Sequence, residues 1–107
     1  MTNKIIVFVT CATAEQATQI AEAVVREKLV ACVNIIPGAR SCYTWKEKLT
    51  WSEEVLCLMK TTRARFEELR ARLKELHSYS VPEIVAVQIE ALDPTYADWI
   101  DASLIES

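Results

Sequence analysis

A single glycine, Gly38, serves the whole 107-residue chain, and it follows Pro37 in the middle of a run of β-branched and apolar residues. Average usage would place about seven glycines in this length, so the one present is expected where the backbone demands it. The run reads Val30-Ala31-Cys32-Val33-Asn34-Ile35-Ile36-Pro37-Gly38-Ala39-Arg40-Ser41-Cys42-Tyr43-Thr44-Trp45. Proline has no N–H to give to a ladder, and glycine permits positive φ. The pair therefore predicts a bulge or sharp bend inside one long strand. A bent strand can serve two sheets, and in so short a chain the second sheet is expected to belong to another copy.

The elements around this strand follow from periodicity and caps. Ile5-Ile6-Val7-Phe8-Val9 is a continuous apolar run, the pattern of a strand covered on both faces. Thr13 is a candidate N-cap, with Gln16 completing a capping box. The helix it opens carries Ala17, Ile20, Ala21, Val24 and Lys28 on one stripe and lasts until about Lys28. After Trp45, residues 46–52 read as a polar hairpin loop, and Glu54 to Lys60 as the returning strand. Thr61 or Thr62 caps a second helix, with Phe66, Leu69, Leu73 and Leu76 at spacings of three and four, stopping near His77-Ser78. Val81-Pro82 opens a fourth strand running to Ile89. Asp93-Pro94, an N-cap followed by proline at the first helical position, starts a terminal helix. The order β-α-β-β-α-β plus a C-terminal helix is the ferredoxin-like split βαβ plan, an α+β fold, over a single domain of residues 1–107. Right-handed crossovers put both helices on one face of the sheet. The other face would then show apolar residues to water, a second reason to expect self-association.

Composition narrows the partners. Hydrophobic residues make up 51% of the chain and charged residues 25%, which describes a globular protein with apolar surface to spare. The net charge is −3. The densest basic cluster (Arg63, Arg65, Arg70, Arg72, Lys74) is interleaved with Glu67, Glu68 and Glu75, which reads as a self-paired helix face and argues against nucleic acid. The sequence has no apolar stretch of ~18 residues to span a bilayer, so no membrane partner is expected. Met1-Thr2-Asn3-Lys4 leads straight into a strand without a signal pattern, which points to the cytoplasm. Cys11, Cys32, Cys42 and Cys57 are then expected as reduced thiols, and no two form a Cys-x-x-Cys pair.

Three chemistries known on this plan fail on residues they cannot omit. The loop Thr10-Cys11-Ala12-Thr13-Ala14 has one cysteine where a soft-metal chaperone needs two. It has no glycine or arginine to cradle an acyl phosphate. The returning strand, Val55 to Lys60, has no aromatic on which to stack RNA bases. Cys11 reads as a small buried hydrophobe or a metal ligand. His77, the only histidine, reads as cover for helix carbonyls or as a ligand at a subunit junction. Tyr43, Trp45 and Trp51, near the hairpin tip, read mainly as packing against another subunit. Lys60 and Glu83 form either a polar pocket or an ion pair. No nucleophile–base pair and no carboxylate dyad is evident, so no enzyme is expected.

Ala31-Cys32-Val33-Asn34-Ile35-Ile36-Pro37-Gly38, Tyr43-x-Trp45, Lys60-Thr61, His77-x-Tyr79-x-Val81-Pro82-Glu83-Ile84 and Tyr96-x-x-Trp99 occur in that order. The ordered set resembles the divalent-cation tolerance family, CutA (CutA1), from about Ile6 to Ser103. The resemblance implies a homotrimer in which long β-hairpins pair with the sheets of neighbouring subunits. It implies a non-enzymatic role in copper and divalent-cation tolerance, with Cu2+ or another divalent cation bound near subunit interfaces. Carried over residue by residue, the metal ligands would be His77, in the loop after the second helix, and Cys11, which follows Thr10. Leu76 stands where a second histidine can precede His77, and Ser78 replaces a proline common at that position. The similarity of this architecture to PII signalling proteins implies an alternative. In that reading a trimer takes a small anion or metabolite in an inter-subunit cleft lined by Asn34, Trp45, Lys60 and Glu83.

Overall fold

The computed structural model describes residues 2–105. Its elements are β1 (Lys4–Cys11), α1 (Ala14–Arg26), β2 (Cys32–Trp45), β3 (Lys48–Thr62), α2 (Phe66–Leu76), β4 (Ile84–Gln88) and α3 (Pro94–Leu104), with a 3₁₀ turn over Arg63–Arg65 before α2. The strands form one sheet in the order β2-β3-β1-β4, with every neighbouring pair antiparallel. The expected β-α-β-β-α-β order with a terminal helix is what is observed.

Both long helices pack on the same face. Ile5, Val7 and Val9 of β1 and Val55, Cys57 and Met59 of β3 point toward them and are buried with Ala17, Ile20, Val24, Leu69 and Leu73. Each of the Val, Ile, Leu and Met side chains among them contributes roughly 1.5–3 kcal/mol by leaving water. The opposite face behaves differently. Ile6, Phe8, Leu56 and Leu58 are only half-buried, and Val85 and Val87 of β4 are exposed. The expectation that β1 is covered on both faces is therefore corrected: two crossovers of the same hand leave one side of the sheet open. α3 covers one end of that side. Ile100 and Leu104 pack with Ala31, and Lys4 Nζ lies 3.1 Å from Asp101 Oδ1.

Caps behave as local chemistry dictates. Thr13 Oγ1 accepts the Gln16 N–H at 3.1 Å, and the Asp93 carboxylate accepts the Tyr96 N–H at 3.2 Å behind Pro94. Gln16 does not close the capping box. Its side-chain oxygen accepts from Ser78 Oγ at 3.1 Å, tying the start of α1 to the segment after α2. α1 ends at Arg26, two residues before the expected Lys28, and Lys28 takes a left-handed φ of 62°. Arg65 ties the connection after α1 to the end of α3, donating to the Lys28 carbonyl at 2.9 Å and the Leu104 carbonyl at 2.7 Å. The rest of the basic cluster is partly self-paired, as expected. Arg70 meets Glu67 at 3.0 Å, while Arg72 reaches across to Glu27, the residue that caps α1, at 2.9 Å. The expected threonine cap of α2 is corrected: Thr62 precedes the 3₁₀ turn without a side-chain cap bond, Arg65 holds the position before α2, and Thr61 is buried and donates to the Leu29 carbonyl.

The hairpin corrects a second expectation. Trp45 pairs with Lys48, so the loop is only Lys46-Glu47, and Leu49 to Trp51 belong to β3. Both turn residues have positive φ, 51° and 66°, the geometry that usually selects Asn-Gly or Asp-Gly. Lys-Glu carries no such signal, which is why the turn is invisible in the sequence. β4 is also shorter than expected, because Pro82 cannot donate to a ladder and pairing starts only at Ile84.

Candidate functional site

The site is built by the bulge. Ile36 pairs with Leu56 and Ala39 with Glu54, so Pro37 and Gly38 together oppose the single residue Val55. Gly38 has φ +85°, as a bulge glycine should. The extra residue reverses the phase of β2. Before it, Asn34 and Ile36 share the open face with Leu56 and Leu58. After it, Tyr43 and Trp45 share that face with Ser52 and Glu54. A one-residue slip turns every later side chain to the other side of a strand, so without the bulge both aromatics would point away from Glu54.

Tyr43, Trp45, Ser52 and Glu54 form one wall of a cavity of about 470 Å³. Thr10, at the end of β1, forms its floor, and Tyr79, Ser80, Val81 and Glu83 the opposite wall. Glu54 is 8% exposed and accepts the Tyr79 hydroxyl at 2.9 Å. Tyr43 and Ser52 hydroxyls meet at 2.6 Å. Burial, and then the Glu54 carboxylate, push the Tyr79 hydroxyl up to about 12. The folded protein thus holds that proton more tightly than the unfolded chain, whose tyrosines titrate near 10. The stabilisation is complete below about pH 10 and is lost as the pH rises toward about 12. Denaturation midpoints followed over that interval should fall more steeply in the wild type than in Tyr79→Phe; parallel curves would contradict it.

His77 fastens the wall that Tyr79 belongs to. It is 8% exposed; its Nε2 donates to the Thr10 carbonyl at 2.7 Å, and its Nδ1 accepts the Tyr79 N–H at 3.0 Å. Thr10 offers only an acceptor there and Tyr79 only a donor, so the proton sits on Nε2 and the Nδ1 lone pair is taken. Cys11 follows Thr10, is fully buried, and faces Cys57. Its hydrogen bond with Cys57, and then burial, hold its thiol well above the ordinary range.

His77 and Cys11 thus lie close together at the end of β1, but as a fastening and a protonated core thiol. Both ring nitrogens of His77 are engaged in hydrogen bonds and the Cys11 thiol is fully buried in the core, so neither side chain is presented for coordination. The pair does not fit a metal site in this chain. Among the described residues no group of three or more His, Cys, Asp and Glu side chains is arranged to hold a metal ion. The four residues expected to line one cleft separate within the chain. Trp45 and Glu83 line the cavity. Lys60 and Asn34 instead hydrogen-bond to each other, with Lys60 Nζ 3.8 Å from Cys32 Sγ and Tyr96 Oη 3.9 Å from the same sulfur. The cavity's chief polar residues, Glu54 and Tyr79, were not singled out from sequence. The one available signal for Glu54 was a carboxylate entering an otherwise apolar strand.

The CutA1 divalent ion tolerance protein family model matches residues 5–103. The divalent-cation tolerance protein CutA of Thermus thermophilus is 45% identical over 95 residues, 89% of this chain and 92% of that protein. Plant and animal relatives are longer, and the chain spans 52% to 62% of their length. Among solved structures, CutA from Xylella fastidiosa superposes with a TM-score of 0.94 at 35% identity, covering 97% of this chain and 100% of that one. The CutA of Archaeoglobus fulgidus, described as periplasmic, gives 0.93 at 34% identity, covering 95% and 99%.

Proposed function

The chain belongs to the CutA1 divalent ion tolerance family, and from that premise we propose that it is a non-enzymatic divalent-cation tolerance protein acting as a homotrimer. The observation that carries the assembly is the hairpin. β1 ends at Cys11 opposite Val55, so residues 39–54 pair only with each other. This free ribbon carries Leu49 at 74%, Trp51 at 58% and Trp45 at 50% exposure. A two-stranded ribbon with that much apolar surface is marginal alone in water, and the half-covered face of Ile6, Phe8, Leu56 and Leu58 is a complementary place for it to lie. The non-enzymatic reading is supported by His77, whose two ring nitrogens are both committed. A cytoplasmic location is our reading of four free cysteines.

Within one chain His77 and Cys11 do not fit a metal, so a Cu2+ or other divalent cation is expected at the seams, with donors from more than one copy. Sedimentation at micromolar concentration should give three times the chain mass; a stable monomer overturns the assembly. Calorimetric titration with Cu2+ should give the same affinity, within about threefold, for wild type, Cys11→Ala and His77→Gln. A loss of tenfold or more in either variant would restore that pair as ligands. Absence of copper binding favours the second reading, a PII-like signalling or scaffold trimer. The cavity holding Trp45 and Glu83 supports it, though with no Lys, Arg or His in its lining it suits a metabolite that is not an anion.

A further inference from the structure

We propose that the cavity between the hairpin and the segment after α2 binds a small organic ammonium ion, with Trp45, Tyr43 and Tyr79 as an aromatic cage and Glu54 and Glu83 as its counter-charge. At about 470 Å³ the space is that of a small-molecule site rather than of a bare ion. Its aromatic faces carry negative quadrupole density and attract cations. Glu54 is more than nine-tenths buried, and its one hydrogen-bond partner among the described residues is the Tyr79 hydroxyl. No Lys or Arg pairs with it there. A buried carboxylate left without a cation is costly, and a ligand bringing one positive charge would offset that cost. Glu83, on the opposite wall, adds a second negative charge at the same space.

A divalent metal fits this place poorly. Hard cations take six or more oxygens at about 2.0–2.6 Å, whereas much of this lining is carbon. A neutral apolar ligand would leave Glu54 uncompensated, and an anion would face two carboxylates. All of the lining comes from one chain, and the proposal rests on an assembly in which Trp45, exposed on the free ribbon, still lines this cavity.

The test is an NMR titration of the full chain with tetramethylammonium and butylammonium, with tert-butanol as the uncharged match and pivalate as the anionic one. The ammonium ions should saturate, on the order of millimolar for ligands this small, moving the Trp45 indole and Tyr79 signals. tert-Butanol and pivalate should not. Glu54→Gln keeps an acceptor for Tyr79 but removes the charge, and should weaken binding about tenfold or more. Glu83→Gln, at an exposed position, should weaken it severalfold and guards against a folding defect in the first variant. Trp45→Leu should also weaken it by about tenfold. Equal binding of tert-butanol, no saturable binding by the wild type, or unchanged affinity in all three variants would each overturn the proposal. Sedimentation of the same samples reports the assembly separately.

Discussion

Replacing His77 with phenylalanine is expected to lower the unfolding free energy by about 2–4 kcal/mol. Phenylalanine keeps the ring and most of the volume, so the loss comes from hydrogen bonding and not from a cavity. Two groups lose their partner at once: the Thr10 carbonyl, now 2.7 Å from Nε2, and the Tyr79 N–H, now 3.0 Å from Nδ1. A buried polar group left unsatisfied costs about 1–3 kcal/mol, and the two contributions are close to additive only if the segment cannot relax to water. Urea denaturation measures the total. Hydrogen exchange separates its parts, because the Tyr79 amide should exchange faster in His77→Phe even where the helices stay protected. His77→Gln retains a donor and should recover part of the loss through Thr10. A change below about 1 kcal/mol in His77→Phe would show that the ring is cover and not a fastening.

The second large effect is expected at Gly38. Its φ is +85°, and a Cβ built there would meet no atom within 4 Å. Any cost of substitution is therefore backbone strain rather than collision, about 1–2 kcal/mol for an ordinary residue held in the left-handed region, and more for a β-branched one. Gly38→Val should destabilise the chain by about 2 kcal/mol. It should also favour loss of the bulge, because the strand can escape the strain by returning to regular pairing. That escape would turn Tyr43 and Trp45 away from Glu54 and dismantle the cavity wall. Gly38→Asn, which tolerates positive φ, should cost less than half as much. Measured stabilities of the two variants within about 0.5 kcal/mol of each other would remove the argument from φ. An unchanged Trp45 fluorescence environment in Gly38→Val would remove the argument from phase.

Those two residues also mark the limit of what was legible. Gly38 announced itself, since one glycine after a proline in a strand has few other uses, and a bulge was expected there. What the bulge accomplishes was not visible. Its phase reversal shows only when Ala39 is seen opposite Glu54 and Ile36 opposite Leu56, a pairing that depends on β3. His77 was placed correctly at the end of α2, where it caps the helix and its N–H bonds to the Leu73 carbonyl. Its two ring contacts were not foreseen, because one partner lies 67 residues away. The short turn was missed for the opposite reason. Lys46-Glu47 adopts a conformation that its own residues do not favour, imposed by the pairing of the flanking strands.

The order of elements, the caps at Thr13 and Asp93, the bend at Pro37-Gly38 and the apolar open face can all be read from the residues alone. Each of these rests on chemistry within a few residues: a side-chain oxygen near a free N–H, a missing donor, a period of two or between three and four. Three-dimensional packing was needed to show that Cys11 and His77 are held by the fold, that Asn34 and Lys60 stand apart from Trp45 and Glu83, and that Glu54 meets Tyr79 in a cavity also lined by Tyr43 and Trp45. Lone pairs, buried charges and cavities belong to pairs of residues distant in the chain, and their fate is set by which strand ends beside which.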